Sequence, residues 1–224
     1  MKICSVVGAR PNFIKISPFC RALREYNEAA GPRGAIGHLL VHTGQHYDDR
    51  MSQAFFHELD IPQADVNLGV GSGSHAEQVG KTMIAFEKVV RETRPDWIVV
   101  VGDVNATCAC SIVAKKEHVR LAHIEAGLRS FDLDMPEEIN RLVTDRLSDL
   151  LFVPDRISEG NLLREGVPAD RIRFVGNIMI DTLLKQMPAA GRRNVDEIVA
   201  ANGIDAGGAR APWGGSADFA LVTL

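Results

Sequence analysis

The sequence has too few cysteines for a disulfide framework: four, at Cys4, Cys20, Cys108 and Cys110, scattered through 224 residues. Cys108-Ala-Cys110 has no matching ligand pair, so all four are expected to be reduced core thiols and not metal or disulfide partners. An excess of charge of either sign is also missing. The formal net charge is -4, and no Lys/Arg stripe is interleaved with the 6% of aromatic residues, which excludes the basic field of a nucleic-acid binder. Long hydrophobic runs are missing. No apolar stretch approaches the ~20 residues of a membrane helix, and Met1 to Val7 lacks the apolar region and cleavage site of a secretory signal. The expectation is a cytoplasmic protein with no membrane partner. Among seven histidines, no two share one face with a nearby carboxylate, so no metal site is expected.

What the chain does have is alternation of strand and helix. With 46% hydrophobic residues it can bury one substantial core. Lys2 to Val7, Ile36 to His42, Asp96 to Val101, Arg120 to Ile124, Leu150 to Val153 and Arg171 to Val175 read as strands. Helices are expected from Pro11 to about Tyr26, Gln45 to about Leu59, Ser74 to about Thr93, Asn105 to about His118, Pro136 onward and Ser158 to Glu165. Ser74 and Glu77 have the spacing of a capping box. This order predicts an α/β fold, a doubly wound parallel Rossmann-like domain. Gly69, Gly71 and Gly73 lack dinucleotide spacing and read as a flexible loop over the site. Residues 1–187 are expected to form this domain. Residues 188–224 read as a short helix, a Gly/Ala/Pro-rich linker and a lone apolar strand, Phe219 to Leu224. A lone strand cannot satisfy its own backbone groups, so the expectation is the front part of a longer protein, with little activity of its own.

Three strand ends carry candidate chemistry, because parallel strands present their C-terminal ends to one edge, where such sheets bind ligands. After the first strand, Gly8-Ala-Arg10-Pro11-Asn-Phe-Ile-Lys15 brings a Gly turn, two cations and a helix N-terminus together, which suits an anion. Gly102-Asp103 follows the apolar strand ending at Val101, and Asp103 could equally cap the next helix. Glu125 follows Ile124, with Arg129 four residues on. Pro136-Glu137-Glu138 reads as a helix start, in which Glu138 is an ordinary first-turn acid and Glu137 a functional one. Arg141 lies one turn further. Gln45 and His46, in the loop after the second strand, could reach the same edge.

These segments resemble a known family. Gly8-Ala-Arg-Pro-Asn-Phe-Ile-Lys15, Thr43-Gly-Gln-His46, Gly102-Asp103, His123-Ile-Glu-Ala-Gly-Leu-Arg129, Pro136-Glu-Glu-Ile-Asn-Arg141 and Gly176-Asn-Ile-Met-Ile-Asp181 are similar, in order and spacing, to the non-hydrolysing UDP-N-acetylglucosamine 2-epimerases. The resemblance implies the N-terminal half of a glycosyltransferase-B type fold, a UDP-sugar substrate, no cofactor and a homodimer. It implies Asp103, Glu125 and Glu137 as acid/base carboxylates, and Arg10, Lys15, Asp103 and Glu125 as substrate-binding residues. Gln45, His46, Arg129 and Arg141 become candidates for the cleft or a second substrate site. The implied reaction interconverts UDP-N-acetylglucosamine and UDP-N-acetylmannosamine by elimination of UDP and its re-addition, for cell-surface polysaccharide precursors. Asn105 stands where familiar members have Thr, which leaves the sugar substituents open. The alternatives are an epimerase of a UDP-diacetamido-uronic acid, a glycosyltransferase of the same fold, and a non-catalytic sugar-nucleotide-binding or regulatory fragment.

Overall fold

The computed structural model describes residues 1–44 and 59–192. The expected helix from Gln45, the Gln45 and His46 positions and everything from residue 193 on lie outside the described residues. Met1–Leu184 forms one compact unit and Lys185–Leu224 a second.

The strands of the first unit are β1 (Lys2–Val7), β2 (Gly37–His42), β3 (Val66–Asn67), β4 (Trp97–Val101), β5 (Arg120–Ile124), β6 (Leu150–Val153) and β7 (Ile172–Phe174). They are all parallel, in the order β3-β2-β1-β4-β5-β6-β7. Described helices are α1 (Arg10–Gly34), α2 (His75–Thr93), α3 (Asn105–Lys116), α4 (Pro136–Leu147), α5 (Arg156–Arg164) and α6 (Ile178–Ala190). The chain winds outward from β1 to β3, then returns to lay β4 on the other side of β1. That reversal is the switch point where a doubly wound sheet opens a crevice at its strand ends.

Strand periodicity explains why both faces are covered. In β4, Val99 and Val101 pack with Phe13, Ile16 and Cys20 of α1, whereas Ile98 and Val100 pack with Phe86 and Val90 of α2 and Cys110 and Val113 of α3. A strand apolar on both sides needs helices on both sides, and the alternation of strand and helix supplies them. The four cysteines are buried free thiols, and burial pushes Cys4 and Cys20 up to about 12.

Local chemistry sets several boundaries. Ser74 and Glu77 close the expected capping box, with Glu77 N–H donating to Ser74 Oγ at 3.3 Å and Ser74 N–H to Glu77 Oε2 at 2.9 Å. α1 runs past the expected end at Tyr26 and breaks at Gly31, where φ is 64°. Asn27 then turns the chain into β2, accepting from Ile36 N–H at 2.7 Å and donating to its carbonyl at 2.9 Å. The glycine loop, expected to be flexible, is bonded to the residues that follow β2. Val70 N–H donates to the Thr43 carbonyl at 2.9 Å and Gly71 N–H to that of Gly44 at 3.0 Å, which carries the β2–β3 pairing forward along the sheet.

Candidate active site

The crevice is built first by Asn12. The residue before α1, Ala9, has no side chain able to cap the helix, and Asn12 takes over that task from inside the first turn. Its Oδ1 accepts from Gly8 N–H at 3.0 Å and Ala9 N–H at 3.1 Å, and its Nδ2 donates to the Val101 carbonyl at 2.9 Å. One buried amide therefore satisfies the exit of β1 and fastens it to the exit of β4, across the switch point. Arg10 is the first residue of α1.

One turn into α1, Lys15 is buried and its Nζ forms an ion pair with Glu125 Oε2. The side chains are 10% and 13% exposed. Glu125 follows β5 with φ 73°, a left-handed conformation that a non-glycine residue holds at a cost of about 1–3 kcal/mol. Gly102 lies beneath this pair with φ 67°. A Cβ there would stand 3.2 Å from Lys15 Nζ, 3.3 Å from Asn12 Nδ2 and 3.4 Å from Glu125 Oε2.

Asp103 does not cap α3; the residue at the cap position is Val104, with no side-chain cap. Its carboxylate instead meets Arg141 of α4, whose Nε and Nη2 reach Oδ2 at 3.0 and 2.5 Å. Arg141 Nη1 donates to Glu138 Oε2 at 2.9 Å. Burial opposes the Arg141 charge, but its bonds to Asp103 and Glu138 outweigh that and raise it above the ordinary arginine value. Asn140 Nδ2 donates to the Asp103 carbonyl at 2.8 Å and to Asn105 Oδ1 at 3.2 Å, while Asn105 bonds Gln78 at 2.7 Å and His75 at 3.0 Å. The starts of α2, α3 and α4 are thus tied together beside Asp103.

Glu137 and Glu138, adjacent in α4, have separate surroundings. Glu138 is 1% exposed and accepts from Ser130 N–H at 3.0 Å, Ser130 Oγ at 3.1 Å and Phe131 N–H at 3.1 Å. Burial alone would raise its carboxyl; these donors and Arg141 hold it below the ordinary value. Glu138 stands in the first turn of α4 with a structural role, as its sequence reading expects, and it also anchors the loop that leads into that helix. Glu137 is half-buried and has no ion pair among the described residues.

Arg129 faces inward, its side chain 1% exposed, with Nη1 2.8 Å from Asp145 Oδ2 and Nη2 2.7 Å from Glu165 Oε2. Asp145 also accepts from His123 Nδ1 at 2.6 Å and Gly127 N–H at 3.0 Å. The structure thus brings Lys15, Asp103, Glu125 and Arg141 to the strand-end edge. It gives Arg129 to a buried ion-pair chain. Sequence reasoning assigned no role to Asn12, Asp145 or Asn140; the one signal for Asn12 was a residue unable to cap, Ala9, standing before a Pro-started helix.

Two carboxylates, each held against a cation, stand at the switch point of a doubly wound domain of the Rossmann-like kind. The comparisons make it specific. A family described as UDP-N-acetylglucosamine 2-epimerase matches residues 29–207, and the chain belongs to that family. It is 46% identical over 190 residues to a UDP-N-acetylglucosamine 2-epimerase of Methanocaldococcus jannaschii, covering 85% of this chain and 50% of that protein. A crystal structure of the M. jannaschii UDP-GlcNAc 2-epimerase in complex with UDP-GlcNAc and UDP gives a TM-score of 0.81 at 45% identity, over 90% of this chain and 52% of that one. A UDP-2,3-diacetamido-2,3-dideoxy-D-glucuronate 2-epimerase of Pseudomonas aeruginosa is 44% identical over 186 residues, 82% of this chain and 51% of that protein. A lipopolysaccharide outer core galactosyltransferase, 15% identical with a TM-score of 0.54 over 79% of this chain and 46% of that one, shares the fold alone, that of half a glycosyltransferase-B architecture. The chain spans about half the length of the curated relatives it matches.

Proposed function

We propose that the protein carrying this domain interconverts UDP-N-acetylglucosamine and UDP-N-acetylmannosamine. The observation that carries the proposal is the pairing of Lys15 with Glu125 and of Arg141 with Asp103 at one strand-end edge of a family member. In the proposed reaction a cleft carboxylate takes the C2 proton as the C1–O bond to UDP breaks. The electron pair of the C2–H bond becomes the C1–C2 double bond, and UDP leaves with the bonding pair of C1–O. In the return step UDP oxygen re-bonds to C1 and a proton is delivered to the opposite face of C2. Inversion needs a proton acceptor and a proton donor on opposite faces, and Asp103, Glu125 and Glu137 are the residues proposed for those roles. Lys15 and Arg10 are proposed to meet the sugar nucleotide, where cations at the start of α1 suit the departing diphosphate. Gln45 and His46 belong to the same proposal as residues of the cleft or a second substrate site.

Within the proposal the enzyme works in the cytoplasm as a homodimer, supplying precursors of cell-surface polysaccharide. No helix among the described residues is long and apolar enough to cross a membrane. The test is incubation of the enzyme-length protein with UDP-N-acetylglucosamine in deuterated water, followed by NMR. UDP-N-acetylmannosamine with deuterium at C2 is the expected product. Epimerisation only of a UDP-diacetamido-glucuronate, or transfer of the sugar to an acceptor, overturns the proposal.

A further inference from the structure

Asp145 takes no part in the cleft by position: it lies on α4, buried, with its side chain 1% exposed. Its partners nevertheless lead there. One carboxylate oxygen faces His123 Nδ1 at 2.6 Å, and the other accepts from Arg129 Nη1 at 2.8 Å and Gly127 N–H at 3.0 Å. The second nitrogen of the His123 ring, Nε2, lies 2.9 Å from the Gly102 carbonyl. We propose that Asp145 is a positioning residue of the cleft, acting through His123 on the Gly102–Asp103 peptide. The inference rests on the epimerase reading for its effect on catalysis, though not for its geometry.

A carboxylate and a backbone carbonyl only accept hydrogen bonds, and a neutral imidazole has a single N–H to give. A ring bonded to both therefore carries both N–H groups. The groups that face it are Asp145 from α4 and the Gly102 carbonyl from the turn after β4, with Arg129 reaching it through the other oxygen of Asp145. Burial would raise the Asp145 carboxyl, but His123 and Arg129 outweigh it and hold the group below its ordinary value. That buried negative charge faces the ring at 2.6 Å.

The peptide held in this way is the one that aims Asp103. Its carbonyl accepts from His123, the next carbonyl accepts from Asn140 at 2.8 Å, and the Asp103 carboxylate is gripped by Arg141. All three restraints originate on α4, at Asn140, Arg141 and Asp145. Gly102 N–H also donates to the Ile124 carbonyl at 3.1 Å, so the same turn is fixed to the residue before Glu125. With Asn in place of Asp145, a neutral ring keeps one of its two bonds, and the Gly102–Asp103 peptide loses a restraint beside the reacting carbons. A small misplacement of a catalytic group lowers the rate of the chemical step far more than it weakens ground-state binding.

Histidine side-chain 15N NMR on the 224-residue chain, with His123 assigned from a His123→Asn variant, should show an N–H on each His123 nitrogen, one bonded to Asp145 and one to the Gly102 carbonyl. Asp145→Asn should convert the signal to that of a single N–H. In the enzyme-length protein, the same variant, assayed where circular dichroism shows it folded, should lose about tenfold or more in kcat with KM changed less than about twofold. A singly protonated His123 in the unaltered chain overturns the proposal even if Asp145→Asn fails to fold, and so does a folded Asp145→Asn with unchanged kcat. An unaltered enzyme with no epimerase activity refutes the functional reading instead, and the NMR result then decides the positioning role.

Discussion

Lys15 and Glu125, 110 residues apart in sequence, form an ion pair above Gly102, with side chains only 10% and 13% exposed. Two charges removed from water this far are costly to desolvate, and removing one leaves the other stranded. Lys15→Met and Glu125→Gln should each destabilise the domain by roughly 2–4 kcal/mol, and the double variant by less than their sum. Urea denaturation of the four proteins measures the coupling; strict additivity would show that neither charge depends on the other.

Neighbouring carboxylates on α4 should separate stability from activity. Glu138→Gln weakens the hold on Ser130, Phe131 and Arg141, and a loss of about 1–3 kcal/mol is expected. Glu137→Gln, at a half-buried position with no ion pair among the described residues, should stay within about 0.5 kcal/mol of the parent while abolishing epimerisation. Melting curves and turnover of UDP-N-acetylglucosamine test both halves, and an active Glu137→Gln enzyme removes Glu137 from the acid/base set.

Glycine requirements differ in kind at two turns. Gly102→Ala places a methyl against side-chain tips 3.2 to 3.4 Å away and strains a φ of 67°, so a loss of about 1–3 kcal/mol is expected. Gly127→Ala puts a methyl 2.5 Å from the Ser158 carbonyl oxygen at a φ of 81°, and backbone cannot swing aside as a lysine can. The second substitution should be the more damaging in denaturant midpoint. Equal midpoints would mean that α5 yields as readily as the Lys15 side chain.

Acid should unfold the domain through Glu138 and Asp145, whose folded carboxyls lie below their ordinary values of 4.5 and 3.8. A lowered folded value means stability that is complete above the unfolded value and lost as pH falls through the folded one. Denaturant midpoints should therefore hold from neutral pH to about 5 and fall below about 4.5, with a shallower fall for Glu138→Gln. A midpoint that drops between pH 7 and 6 contradicts this assignment.

A strand with a continuous apolar run, such as Trp97–Val101, was legible because burial on both faces leaves a composition that few other settings produce. Val66–Asn67 was not: two residues carry no periodicity, and the strand exists through its pairing with Val41 and His42. The same division runs through the cleft. Asp103, Glu125 and Lys15 could be placed at one edge from strand order alone. Which cation meets which carboxylate could not, because Arg141 and Asp103 are brought together by the packing of α4, across 38 residues of chain. Asp145 and Asn12 were overlooked for a related reason, since a buried polar residue looks like any other until its partners are known.

The parallel order of the sheet also has a temporal side. Asn12 cannot bind the Val101 carbonyl until β4 lies beside β1, a closure over 89 residues, and Lys15 waits a further strand for Glu125. Distant parallel pairings of this sort slow folding. On a chain emerging from the ribosome, α1 and its lysine are made well before the carboxylate that will neutralise it, so the two halves of the crevice meet only after most of the domain has been synthesised.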